Sequence, residues 1–212
     1  MKNFRNTLLA LTLGACASIA SAHGSLDGET LLIEYGIDFG SGFTALSSRT
    51  VTVGSGLEVS GWSLSSTKDI RWDIDFSGGD IALTYVGNDD FMNVGTFAMQ
   101  GFRVSNVPLE IEDVAVTNTT YVPNVHGNLI EGFDPATALS FTASTVSVNL
   151  NESMYHHHAM TGMGDPVRDA IKLHLHLAPA VPEPEAWAMT AAGLLGVMGV
   201  MGIGALRQRR RG

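Results

Sequence analysis

Cysteine is nearly absent from this sequence, and basic residues are scarce outside its two ends. The single cysteine, Cys16, falls within the first twenty residues, so the body of the chain has no thiol nucleophile, no disulfide and no thiolate metal ligand. Between His23 and Val181, six basic residues (Arg49, Lys68, Arg71, Arg103, Arg168 and Lys172) stand against nineteen acidic ones, a formal charge of −13 with histidine neutral. Such a field repels phosphate backbones and excludes nucleic acid as a partner, while it attracts divalent cations and basic surfaces. No Gly-x-Ser-x-Gly elbow, His-Glu-x-x-His helix, phosphate-binding loop or dinucleotide fingerprint occurs. The chain therefore reads as non-enzymatic, with no cofactor called for.

Long apolar runs are confined to the two ends. Lys2 and Arg5 precede an apolar stretch from Leu8 to Ala17, followed by Ala20-Ser21-Ala22, the small-x-small exit that signal peptidase accepts. Residues 1–22 are expected to be a signal peptide with a helical core. A second export reading stays open, because Leu13-Gly14-Ala15-Cys16 resembles a bacterial lipobox. At the other end, Ala188 to Leu206 is uncharged, and as a helix it would cover about 28 Å, close to a bilayer core. Its glycines at 193, 196, 199, 202 and 204 would each cost roughly 1 kcal/mol in a water-exposed helix, whereas membranes tolerate them. Arg207, Arg209, Arg210 and Arg211 follow, a stop-transfer cluster that would remain on the cytoplasmic side and leave the preceding domain outside.

Just before the apolar run stands Val181-Pro182-Glu183-Pro184-Glu185-Ala186-Trp187. The order Pro-Glu-Pro, Trp-Ala-Met, apolar helix and arginines resembles the PEP-CTERM sorting signal of Gram-negative bacteria, over roughly the last thirty residues. Tails of this kind also carry the name "ice-binding protein C-terminal domain", a label that confers no ice affinity on the domain. The resemblance implies that an exosortase recognises Pro182, Glu183 and Pro184 and processes the tail during export. The implied course is an inner-membrane anchored precursor, then the periplasm, cell surface or extracellular matrix, in the company of exopolysaccharide in a biofilm matrix. The motif makes physical sense, since prolines on both sides of Glu183 hold the backbone extended and withhold amide donors from helix or sheet. Trp187 suits the membrane interface.

Residues 23–180 are expected to form one domain, with 181–212 as the sorting tail and 188–206 as its transmembrane helix. Strict alternation marks strands: Ile70, Trp72, Ile74 and Phe76 against Arg71, Asp73 and Asp75, then Ile81, Leu83 and Tyr85 against Ala82 and Thr84. Further strands are expected at Leu31–Ile37, Thr50–Val53, Leu57–Leu64, Thr96–Val104, Leu109–Thr117, Ala138–Leu150 and Ala170–Leu177, eight or nine altogether. Gly54-Ser55-Gly56, Gly78-Gly79 and Gly87-Asn88-Asp89-Asp90 supply turns. The expected fold is all-β, an antiparallel β-sandwich of jelly-roll or immunoglobulin-like type, flanked by the signal helix and the membrane helix. The order of Val51-Thr52-Val53-Gly54, the Trp72 strand, Gln100-Gly101-Phe102-Arg103-Val104 and Val146-Ser147-Val148 also resembles ectodomains found with this tail.

Candidate chemistry centres on histidine. His156, His157 and His158 lie in a stretch with Met160, Gly162, Met163, Gly164 and Pro166 that reads as a long loop, and consecutive side chains of an extended segment point to opposite faces. His174 and His176 share a strand face with Lys172, while Ile171, Leu173, Leu175 and Leu177 take the other, so two imidazoles on one face offer a divalent metal a pair of ligands. The alternative function is thus a metal-binding module or metal-dependent β-sandwich enzyme built on these five histidines. Asp73 and Asp75 share a face in the manner of paired acid-base carboxylates. Asp89, Asp90 and Asn93 form an oxygen-rich turn without the regular ligand series of a calcium loop. Asn118-Thr119-Thr120 and Asn151-Glu152-Ser153 match glycosylation acceptors in form and read as polar strand ends.

Overall fold

The computed structural model describes residues 24–92, 96–119, 127–158 and 167–179. The expected signal peptide, sorting motif, apolar run and arginine cluster lie outside the described residues, as do Asn93, Thr120 and residues 159–166. The described residues fall within one compact unit, Met1–Pro179. Among them no helix is long and apolar enough to cross a membrane.

The described chain is mostly strand, with almost no helix. In order, it runs β1 Thr30–Asp38, β2 Phe43–Thr52, β3 Val59–Ser63, β4 Arg71–Ser77, β5 Asp80–Tyr85, β6 Phe91–Met92, β7 Met99–Ser105 and β8 Ile111–Thr119. It continues with β9 Gly127–Glu131, a four-residue helix α1 Pro135–Ala138, β10 Leu139–Thr142, β11 Thr145–Asn149, β12 Met154–His158, β13 Val167–Arg168 and β14 Ala170–Leu177. One five-stranded sheet has the order β10-β11-β7-β1-β2, another the order β3-β4-β5-β14-β8, and a four-stranded sheet the order β13-β9-β12-β6. All pairings are antiparallel except β13 with β9.

Alternation explains most of the strands directly. In β4 the residues Trp72, Ile74 and Phe76 are buried while Arg71, Asp73 and Asp75 are half-buried, and β5 and β14 repeat the pattern. The two five-stranded sheets contribute their apolar faces to one core. Trp72 of β4 meets Phe102 of β7 edge-on at 5.3 Å between ring centroids, and Trp62 of β3 meets the same ring at 5.9 Å. Tyr155 of β12 joins the cluster at 5.2 Å from Trp72 and 5.1 Å from Tyr85. Each fully buried side chain of this size stabilises the fold by roughly 1.5–3 kcal/mol over exposure, and ring pairs in such geometries add about 0.5–1.5 kcal/mol.

Several expectations need correction. The stretch Ala138–Leu150 is a hairpin, β10 and β11 paired in register from Leu139 opposite Val148 to Thr142 opposite Thr145. Strand β2 begins at Phe43 rather than Thr50, because it is an exposed edge strand whose Ser, Thr and Arg residues carry no buried face to produce alternation. His156, His157 and His158 are not in a loop: they belong to β12 and pair with Leu129, Asn128 and Gly127 of β9. A run of identical polar residues has no period of its own, so this strand is defined by its partner. Strands β6, β9 and β13 were likewise not expected, being two to five residues long.

Candidate functional site

The outer face of β14 carries the histidine pair. With Ile171, Leu173, Leu175 and Leu177 buried, Lys172, His174 and His176 point away from the core. The imidazole rings of the pair lie 4.9 Å apart and nearly perpendicular. His174 stands opposite Asp80 in the register of β14 with β5, and its Nδ1 is 2.6 Å from Asp80 Oδ1. His176 stands opposite Asp113 of β8, on the other side of β14, so the two side chains emerge on the same face. The turn before Asp80 sets this up. Gly78 has φ +61°, a left-handed conformation suited to glycine, and the Gly79 carbonyl accepts from Leu175 N at 2.8 Å. A Cβ on Gly79 would come within 2.9 Å of the Leu175 carbonyl oxygen, so this glycine lets Asp80 approach β14 closely.

The other histidines lie elsewhere. His156 is buried, its Nε2 3.6 Å from Glu131 Oε1, and His157 donates its backbone N–H to Asp90 Oδ1 at 3.0 Å. The structure brings His174 and His176 together on β14, while His156 sits on β12, in a different sheet. Among the described residues no group of three or more His, Cys, Asp or Glu side chains converges in a metal-binding arrangement.

The acidic candidates hold loops in place. Asp73 Oδ1 accepts from Gly61 N at 2.6 Å, and neighbouring Asp75 has its pKa raised by burial and by the negative charge of Glu58. Glu58 itself accepts from Gly54 N and Phe76 N, both at 2.8 Å. In the Asp89-Asp90 turn, Asp89 Oδ2 accepts from Asp69 N at 2.6 Å, its carbonyl accepts from the Tyr85 hydroxyl, and the Asp90 carbonyl accepts from Lys68 Nζ at 3.1 Å. Asp69 pairs with Arg71 and accepts from Asn88 Nδ2 at 2.6 Å. The Arg71 guanidinium, with help from Asn88, holds the Asp69 carboxyl at about 2, well below the usual carboxylate range.

Two features had no sequence signal. Asp169 is buried, with Oδ2 accepting from Ile130 N at 3.1 Å and Oδ1 without a hydrogen-bond partner among the described residues; burial raises its pKa. A polar cavity of about 290 Å³ lies among Asp134, Thr137, Asn149, Asn151, Glu152 and Ser153, with no basic residue among the described residues of its lining. Asn151 is not an exposed acceptor for glycosylation, since it is buried and its Nδ2 donates to the Phe97 carbonyl. Its Oδ1 has no partner among the described residues. Contacts between residues some fifty positions apart build this cavity, and neither a motif nor a period announces them.

Fold and site together define an all-β protein of antiparallel sheets whose outer face presents paired imidazoles between carboxylates. Comparison with known proteins adds no closer relation: no family model, no curated protein and no solved structure matches the chain.

Proposed function

We propose that this chain is a non-enzymatic protein of the cell surface or exopolysaccharide matrix, exported on residues 1–22 and sorted through a PEP-CTERM tail at 181–212. The observation that carries this reading is the ordered series Pro182-Glu183-Pro184, Trp187, the uncharged run from Ala188 to Leu206 and the arginines at 207, 209, 210 and 211. Each part has a physical role. The prolines give an extended strip for a protease cleft, Trp187 an interfacial anchor, the apolar run a span matched to a bilayer, and the arginines a cytoplasmic stop. Signal peptidase, an exosortase and the membrane are the implied partners, in a Gram-negative host. The ectodomain is read as a β-sandwich. Strands β1–β2, β3–β4–β5 and β10–β11 are consecutive neighbours within one sheet, while β7, β8, β11 and β14 alternate between the two five-stranded sheets, a path compatible with a jelly-roll or an immunoglobulin-like sandwich.

The use of Asp69, Asp73, Asp89 and Glu58 as backbone tethers supports display rather than catalysis. The test is the intact mass and membrane partitioning of the protein from its native host, with and without the candidate exosortase. Loss of the segment beyond Pro184 only when the enzyme is present is the expected result. An unchanged tail in both strains overturns sorting and leaves a plain membrane anchor.

A further inference from the structure

We propose that His174 and His176 form a two-imidazole binding site for a borderline divalent transition-metal ion of the copper(II) or zinc(II) type, with Asp80 as the positioning residue. The site goes beyond tail sorting and is independent of it.

Three observations carry the proposal. The two rings already stand side by side, 4.9 Å between centroids, on one face of a paired strand. A tetrahedral ion with Zn–N bonds of about 2.0–2.1 Å places its nitrogen ligands roughly 3.3 Å apart, a spacing that calls for neighbouring imidazoles on one strand face. Asp80 also fixes the state of one ligand. An ionised carboxylate only accepts hydrogen bonds, so its 2.6 Å contact with His174 Nδ1 puts the ring proton on that nitrogen and leaves the Nε2 lone pair for the metal. This carboxylate–histidine relation is the usual device for orienting a ligating imidazole.

The surroundings favour a cation. Asp80 and Asp113 flank the pair in the neighbouring strands, while Lys172, on the same face, opposes it. Imidazole donors select copper, zinc or nickel over calcium or magnesium, which prefer all-oxygen sites. With two protein nitrogens, water completes the coordination shell. The buried His156 belongs to a different sheet and takes no part.

The test uses copper(II) alone, titrated into the purified full-length chain, with affinity from calorimetry and ligand identity from electron paramagnetic resonance. One ion bound through two imidazole nitrogens is expected. His174→Ala or His176→Ala should each weaken binding by at least about tenfold and remove one nitrogen coupling. Asp80→Asn should weaken it by about 10–100-fold with both couplings retained. His157→Ala with His158→Ala should leave binding unchanged, and circular dichroism checks that every variant folds. The proposal is overturned if copper affinity is insensitive to His174→Ala and His176→Ala, if it is lost on changing His157 and His158, or if the chain binds no copper.

Discussion

The layer formed by β4, β5 and β14 and the small sheet formed by β6, β9, β12 and β13 are held by different chemistry. The first is a run of alternating strands in which Trp72, Ile74, Phe76, Ile81, Leu83, Leu173 and Leu175 are each exposed by 2 % or less, so burial of apolar area dominates. The small sheet brings polar groups inside: Asn128, His156 and, next to it, Asp169 are buried. Asn128 Nδ2 donates to the Gly87 carbonyl, Asp169 N donates to the Asn128 carbonyl, and Tyr85 N donates to the Asp169 carbonyl. Removing apolar area from the first layer leaves a cavity. Disturbing the second region leaves polar groups without partners, a cost that depends on geometry and pH.

That contrast can be broken first at Trp72, which touches Tyr85, Phe102 and Tyr155. Trp72→Ala should lower the unfolding free energy by about 3–5 kcal/mol in urea denaturation, the largest effect expected. Gly87→Ala probes the junction between the regions. Its added Cβ would lie 2.1 Å from the Asp69 carbonyl oxygen and 2.8 Å from Arg71 N, backbone that cannot swing aside, and a loss of about 1–3 kcal/mol is expected in the same assay.

Charge sharpens the contrast through pH. The folded state raises the Asp169 pKa by burial, so it holds this proton more tightly than the unfolded chain does. Stability from this group falls as pH climbs from the ordinary carboxylate range through the raised value, and Asp169→Asn should flatten that part of the profile. Asp69 has the opposite sign. Its pKa is lowered to about 2, so its contribution is present above the ordinary carboxylate range and fades as pH drops toward 2, and the stability gap between wild type and Asp69→Asn should close there. The smallest effect belongs to the outer face: His176→Ala, in the absence of metal, should change stability by no more than about 0.5 kcal/mol.

The strands of the first layer were legible because a half-buried strand writes its environment into every second residue. The pairing of His174 with His176 on one face of β14 was legible for the same reason, since side-chain direction repeats every two residues. Asp80 was not, because its contact with His174 spans 94 positions and depends on the register between β5 and β14. The His156–His158 segment misled for a related reason: its membership of a strand is decided by hydrogen bonds to β9, which leave no mark on the segment's own composition.

By itself the sequence determined the all-β character of the described domain, the period-two faces of β4, β5 and β14, and the scarcity of thiols and basic groups that shapes its chemistry. These follow from local pattern and composition, which act wherever the chain goes. Tertiary structure alone decided which carboxylate meets His174, which polar groups become buried around Asp169, and where Asn149 and Asn151 help enclose a cavity. Those are consequences of register and of contacts between distant segments, and they exist only once the sheets have packed.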